Sequence, residues 1–252
     1  MDKRIGTNKR VTILGAQIDV LDVPETIALV EKYVVQKEPL HLIGVNADKL
    51  NEMSQNEQLR RIVNGCGVIN ADGASVILAS RFLNKVLPER VAGIDLMQSL
   101  VSLSAKKGYR IYLLGAKQEV VEKTAAVLKE RHPALNVVGI QNGYFSKEEW
   151  PDISDKIKTA YPDFVFVGIT SPLKEYLVEY LQSDGHKCIF MGVGGSFDVI
   201  SGNIKRAPRW VQKINMEWCY RMLQEPRRLG KRYIVGNWKF IASVVKEKVR
   251  EK

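Results

Sequence analysis

Asp72 is the residue of this sequence best placed to do chemistry. It follows the apolar run Val68-Ile69-Asn70 and precedes Gly73. A carboxylate at such a strand exit can take the proton from an attacking hydroxyl if burial raises its pKa, and the glycine beside it allows close substrate approach. The same aspartate can simply cap a helix beginning near Ala74, and spacing alone leaves both roles open. Gly194-Gly195-Ser196 forms a second group, inside Gly192-Val193-Gly194-Gly195-Ser196-Phe197-Asp198. Glycines there let backbone N–H groups approach an anion, and a helix opening behind them adds a positive dipole end. A tight turn needing positive φ is the plainer reading of Gly-Gly, but its position after an apolar run points to a nucleotide site. Gly115-Ala116-Lys117 closes another run with one glycine, where a dinucleotide fingerprint needs three. It reads equally as a contact to a nucleotide phosphate or ribose and as a plain turn.

A third group is cationic. Residues 1–204 carry 24 Lys+Arg against 24 Asp+Glu, whereas residues 205–252 carry 14 against 4. The whole formal charge of +10 therefore lies in the last fifth of the chain, together with Trp210, Trp218 and Trp238. Such a segment attracts a polyanion: nucleic acid, an anionic membrane surface or a phosphorylated substrate. Within it, Val211, Ile214, Trp218 and Met222 recur at helical spacing and form one apolar face. Arg221, Arg228 and Lys231 or Arg232 align if the chain stays near-helical across Pro226. A solvated face is the ordinary reading of a charge run, and with three tryptophans interleaved a helix lying on a membrane surface stands at least level with it. The tail carries no recognised nucleic-acid motif, and the sequence contains no apolar stretch long enough to span a bilayer. The polar segment Met1 to Arg10 lacks the apolar centre of a secretion signal. The expected location is the cytoplasm.

These groups need a scaffold. The body alternates apolar runs with helix-period segments, the pattern of a parallel sheet flanked by helices. The reading predicts strands over Val11–Leu14, His41–Val45, Val68–Asn70, Arg110–Leu114, Val137–Ile140, Phe164–Gly168 and Cys188–Gly192. It predicts helices over Glu25–Val35, Ile94–Ala105, Glu119–Arg131, Glu148–Ala160 and Leu173–Leu181. Five strand exits carry small or polar residues: Asn46, Asp72-Gly73, Gly115-Ala116, Gly168 to Pro172 (with Thr170 inside it) and Gly192 to Asp198. In open α/β sheets ligands sit at the carboxyl ends of the strands, so these loops describe one pocket. Cys66, Cys188 and Cys219, and likewise His41, His132 and His186, are scattered without metal-ligand or triad spacing. They read as structural.

The ordered set Asn46-Ala47-Asp48, Ala71-Asp72-Gly73, Arg90-Val91-Ala92-Gly93, Leu114-Gly115-Ala116, Gly194-Gly195-Ser196-Phe197-Asp198, Lys205-Arg206-Ala207-Pro208 and Glu217-Trp218-Cys219-Tyr220-Arg221 resembles the WecG/TagA/CpsF family of bacterial glycosyltransferases. The likeness runs from about residue 11 to 235. It implies a Rossmann-like catalytic domain over 1–204 and a basic amphipathic helical appendage over 205–252 that docks on the inner face of the cell membrane and completes the site. The implied reaction moves an N-acetylhexosamine-type sugar, of the ManNAc or ManNAc-uronate class, from a UDP-sugar to polyprenyl-diphosphate-linked GlcNAc, with inversion. A glucosyl- or other hexosyltransferase of capsule or exopolysaccharide synthesis is the alternative. The resemblance assigns Asp72 as base and places Asn46 and Arg90 in the active site. Gly194, Gly195, Ser196 and Asp198 hold the nucleotide, Lys174 lines the sugar pocket, and Gly115 and Thr170 are expected to contact the nucleotide or the sugar. Arg206, Arg221, Arg228 and Lys231 meet diphosphates. It implies no cofactor and no nucleic acid, and it allows a homo-oligomer. No Asp-X-Asp sequence is present to hold a divalent cation, so a metal-independent reaction is expected.

Two positions depart from the family pattern. Gly44 stands where teichoic-acid members have Thr, and Lys174 stands where a glutamine is usual. Both changes remove hydrogen-bond partners from the expected sugar pocket. Lys174 adds a cation that can pair with a carboxylated donor sugar or turn outward.

Overall fold

The computed structural model describes residue 5, residues 8–214 and residues 216–251, without the side chains of Lys213, Arg228, Lys231 and Arg232. Two short strands, β1 (Arg10–Ile13) and β2 (Ala16–Asp19), form an antiparallel hairpin. The segment expected as the first strand of the parallel sheet therefore belongs to a separate ribbon. Its turn, Leu14-Gly15, has positive φ at both residues, the geometry that lets a two-residue loop match strand twist. Asp19 anchors the ribbon, pairing with Arg10 at 2.9 Å and accepting the Ile69 N–H at 2.8 Å.

The main sheet comprises β3 (Leu40–Val45), β4 (Val68–Ala71), β5 (Arg110–Gly115), β6 (Asn136–Gln141), β7 (Phe164–Gly168) and β8 (Ile189–Gly192). Its order is β4-β3-β8-β7-β5-β6, and every pairing is parallel. Phe164, Val165, Phe166 and Val167 are all fully buried, because helices cover both faces of a central parallel strand. The layer on the two faces is built from α1 (Val23–Gln36), α2 (Ala47–Met53), α3 (Glu57–Gly65), α4 (Ala74–Phe82), α5 (Gly93–Lys107), α6 (Gln118–Arg131), α7 (Trp150–Ala160), α8 (Leu173–Ser183) and the short α9 (Ser196–Ile200). Two of these, α2 and α3, are absent from the sequence reading; they are seven and nine residues long, and so short a segment shows only two turns of period. The start of α1 is legible in sequence: Asp22 and Glu25 form a reciprocal capping box, and Pro24 occupies the first turn.

The basic segment folds as α10 (Arg209–Lys213), α11 (Glu217–Gln224) and α12 (Pro226–Arg250). Pro226 opens the last helix, and Glu225 before it leaves helical geometry with φ −129°. The alignment of Arg221 with residues of α12 across Pro226 is therefore broken. The chain does not leave the body after this point. Phe240 and Val244 of α12 are buried in one core with Ile13, Leu50, Met53 and Ile77. Asn51 Nδ2 donates to the Gly236 carbonyl at 2.8 Å, and Glu247 accepts the Leu14 N–H at 2.8 Å. Composition changes near residue 205, but the hydrophobic core continues across that point.

Candidate active site

Five strand exits, β3, β4, β5, β7 and β8, border one open cleft of about 2020 Å³, closed on its far side by α11 and α12. The strand order reverses direction between β3 and β8, the place where an α/β sheet leaves a crevice for a ligand. Asn46, Asp72, Arg90, Thr170, Lys174, Gly194, Gly195, Ser196, Asp198 and Arg221 all line the cleft. Residues 175 positions apart in sequence thus share one cavity.

Asp72 does not cap α4. That cap position is Gly73, which has no side chain to donate or accept. The carboxylate instead reaches across to α5, where Oδ1 accepts the Gly93 N–H at 3.0 Å. Gly93 is the first residue of α5, and Ala92 before it supplies no side-chain cap, so Asp72 satisfies a donor that the helix leaves open. Oδ2 has no donor among the described residues. The Asp72 backbone is fixed by three bonds: its N–H to the Val45 carbonyl at 2.9 Å, its carbonyl from Arg90 Nε at 2.7 Å, and the Ala71 carbonyl next to it from the Val91 N–H at 2.8 Å. Burial raises the carboxyl above its ordinary value; the Arg90 guanidinium and the Gly93 N–H oppose that shift without cancelling it. One held oxygen, one unbonded oxygen and a raised pKa are the properties of a general base.

Gly44 is explained by the same carboxylate. A Cβ at position 44 would lie 2.9 Å from the Asp72 Cβ, closer than carbon atoms pack. Asn46 occupies the head of α2, where its Oδ1 accepts the Lys49 N–H at 3.0 Å. Its Nδ2 has no acceptor among the described residues, which leaves an amide donor at the cleft wall.

Lys174 turns inward. It is buried, and a Cβ at Gly192 would strike its Cε at 2.8 Å, so β8 must carry glycine for the lysine to cross it. Its ammonium lies 3.2 Å from Glu175 Oε1, which also pairs with Lys49. Burial and the Lys49 charge bring Lys174 down to about 8, although Glu175 pulls the other way. Burial works to raise Glu175, but the two ammonium groups outweigh it and hold the carboxyl at about 2. Glu175 Oε2 is buried and has no partner among the described residues. Ser171 Oγ accepts from Lys49 at 3.4 Å and donates to Glu52 at 3.1 Å, so a charged, hydrogen-bonded network lines this part of the cleft.

At the opposite wall Gly194 takes φ +51°, a left-handed conformation that glycine adopts at little cost. A Cβ on Gly195 would lie 3.3 Å from Arg221 Nη2, so the glycine turn and the arginine meet without a side chain between them. Arg221 has no hydrogen-bond or ion-pair partner among the described residues. Ser196 is less available: its buried Oγ donates to the Val193 carbonyl at 2.7 Å. Phe197 packs against Gly168, where a Cβ would come within 2.6 Å of its ring, and so seats α9 on the sheet.

Two expected site residues stand elsewhere. Gly115 does not line the cleft; Ala116 and Lys117 do. At φ +132° and with a virtual Cβ 2.5 Å from Gly168 C, Gly115 serves the close approach of β5 and β7. Arg206 is also outside the cleft lining. Its guanidinium grips Asp95 with two bonds of 2.6 and 2.7 Å and reaches Glu217 at 3.2 Å, so a diphosphate would have to displace two carboxylates. The side chains of Arg228 and Lys231 lie outside the described residues.

Sequence reasoning missed Glu217, Lys49, Glu175 and Gly93. Glu217 Oε2 holds Arg90 Nη2 at 3.1 Å while its other oxygen holds Arg206. It therefore couples α11 to the arginine that pins Asp72. Glu217 opens the Glu-Trp-Cys-Tyr-Arg motif, and that was the available signal. Lys49 and Glu175 are 126 residues apart, and nothing in their spacing foretold a pair. Among the described residues no cluster of His, Cys, Asp or Glu could hold a metal ion, and no helix is long and apolar enough to cross a membrane.

A half-buried carboxylate at the carboxyl edge of a parallel sheet, beside a glycine turn and an arginine in one open cleft, defines a Rossmann-like α/β protein with a cleft suited to an anionic ligand and acid–base chemistry. The comparison with known families narrows this. Residues 11–252 match the glycosyl transferase WecG/TagA/CpsF family, and the chain belongs to it. It is also similar to the N-acetylglucosaminyldiphosphoundecaprenol N-acetyl-beta-D-mannosaminyltransferase of Bacillus spizizenii strain W23. The two are 31% identical over 214 residues, which cover 85% of this chain and 82% of that relative.

Proposed function

We propose that the protein transfers an N-acetylhexosamine-type sugar from a UDP-sugar to a polyprenyl-diphosphate-linked GlcNAc, inverting the anomeric centre. The observation that carries this reading is the pose of Asp72, with Oδ1 on the Gly93 N–H, the other oxygen unbonded, and the backbone pinned by Arg90. Asp72 accepts the proton of the acceptor hydroxyl as that oxygen attacks the anomeric carbon from the face opposite the departing UDP. The negative charge that grows on the leaving diphosphate falls to Arg221 and the N–H groups of the Gly194-Gly195 turn, a fixed electrostatic cradle. The size of the cleft supports a two-substrate reaction: a single ligand pocket spans about 300–1,000 Å³, and this one is about 2020 Å³. The 31% identical relative, named for an N-acetylglucosaminyldiphosphoundecaprenol acceptor, supports the lipid-linked partner. The exposed tryptophans Trp210 and Trp238 and the basic tail support docking at the inner membrane face.

Lys174 favours a narrower reading of the donor. A buried ammonium whose directly paired carboxylate, Glu175, is shared with Lys49 is improved by a further anion, and a uronate carboxylate would supply one. Product mass from a polyprenyl-diphosphate-GlcNAc analogue incubated with a panel of UDP-sugars tests both statements. Transfer of N-acetylhexosamine or its uronate supports the reading. Transfer of glucose or another hexose alone moves the protein to the alternative branch of its family, and no transfer to any lipid-linked GlcNAc rejects the acceptor.

A further inference from the structure

We propose that the groove between α4 and α12 seats the first isoprene units of the acceptor's polyprenyl chain; this rests on the lipid-linked acceptor proposed above. The cleft does not end at Asp72. Its lining continues along α4 through Ala74, Leu78 and Phe82, and along α12 through Phe240, Ile241, Val244 and Val245. On α4 the residues recur every four positions, so they form one stripe that starts two residues after Asp72 and widens from Ala to Leu to Phe. Leu78 is 66% exposed and Phe82 51%. On α12 Ile241 is 51% exposed and Val245 47%, again four residues apart, while Phe240 and Val244, each one position before them, are buried and form the floor.

Single exposed apolar side chains are ordinary, but two facing stripes over an apolar floor mark an interaction site. Polar ties join the two helices at the far end. Lys85, just after α4, pairs with Glu247 at 2.8 Å and Glu251 at 2.6 Å, and the Lys248 ammonium lies 5.8 Å from the centre of the Phe82 ring. These ties fix α12 beside the end of α4, and both helices line the same cleft.

Its continuity with the catalytic cleft selects the occupant. A ligand whose sugar hydroxyl reaches Asp72 and whose other end is a branched hydrocarbon would fill cleft and groove together. Nine residues of α4 give a wall about 13 Å long, enough for the first few isoprenes before the chain passes to the bilayer. A second protein copy or the bilayer surface would meet the rims but has no reason to join the floor to the catalytic carboxylate.

The experiment uses the full chain in detergent solution, without vesicles. Two GlcNAc-diphosphate acceptors are compared, one with a single isoprene and one with about four. Wild type is expected to show a KM for the longer acceptor at least ten-fold below that for the shorter. Leu78→Gln and Ile241→Gln, both at exposed positions that tolerate a polar side chain, are each expected to raise the KM for the longer acceptor about ten-fold, and that for the shorter less than two-fold. Equal effects on both acceptors, or on neither, overturn the proposal. So does a variant that changes only vesicle binding or only the mass in solution, because the face then belongs to the bilayer or to a second copy. Failure of the wild type on both acceptors with every UDP-sugar rejects the acceptor itself, which is a separate result.

Discussion

Replacing Asp72 with Asn is the most discriminating perturbation of this site. The amide keeps the shape of the carboxylate, and its Oδ1 can still accept the Gly93 N–H now held at 3.0 Å. Exchanging a charged for a neutral acceptor weakens that bond by about 1 kcal/mol. The loss is offset by relief of a carboxylate that burial already disfavours. The melting temperature should therefore move by no more than about 4 °C, and UDP affinity by less than two-fold. Turnover is different. A positioned general base contributes about 10²–10⁴ in rate, or roughly 3–5 kcal/mol of barrier, and that whole factor should vanish from kcat. The pH profile supplies an independent reading. The base must be ionised to act, so activity is lost as pH falls through the Asp72 pKa, and burial places that pKa above the ordinary aspartate value. Wild-type kcat/KM should show an acid limb at correspondingly raised pH, and the residual activity of the Asn variant should lack it. UDP release and product mass with a lipid-linked GlcNAc analogue measure both. Turnover within ten-fold of wild type, or an unchanged acid limb, would show that Asp72 is only the cap of α5.

Three further substitutions probe the rest of the site. Lys174→Gln should lower kcat/KM for a UDP-uronate donor 10- to 100-fold relative to a neutral donor, and an unmoved ratio rejects the pairing. Because Lys174 falls from 10.5 unfolded to about 8 folded, the unfolded chain binds the extra proton between those values. Wild type should then gain stability over the Gln variant as pH rises from about 8 to 10.5, by at most about 3 kcal/mol, measurable by denaturant titration. Glu217→Gln loosens both Arg90 and Arg206; a loss of about 1–3 kcal/mol and a fall in kcat with UDP affinity retained are expected from unfolding and initial-rate measurements. Gly115→Ala should destabilise by about 3 kcal/mol or more, since its Cβ meets Gly168 at 2.5 Å. Calorimetric UDP affinity of the folded fraction should be unchanged, in keeping with a position outside the cleft.

Much of the architecture was readable before any coordinates. The runs Phe164–Gly168 and Arg110–Gly115 are apolar on both faces because central parallel strands have no solvent side. Small residues at five strand exits pointed to one cleft, since a parallel sheet sends all its carboxyl ends to one edge. The shortness of α2 and α3 hid them, and the Leu14-Gly15 turn hid a hairpin. The period of so short a segment is ambiguous.

Residue types along the chain determined which groups are chemically competent: the aspartate of an Ala-Asp-Gly turn, the glycines before α9 and the arginines of the tail. Spacing could not say which atoms those groups would meet, because contacts more than a hundred residues apart are decided only by packing. The tertiary structure alone made Asp72 the cap of α5 instead of α4, tied Arg206 to Asp95 and Glu217, and turned Lys174 inward onto Glu175. It also drew α12 onto the body, since burying Phe240 and Val244 removes from water the apolar surface that an isolated basic tail would expose.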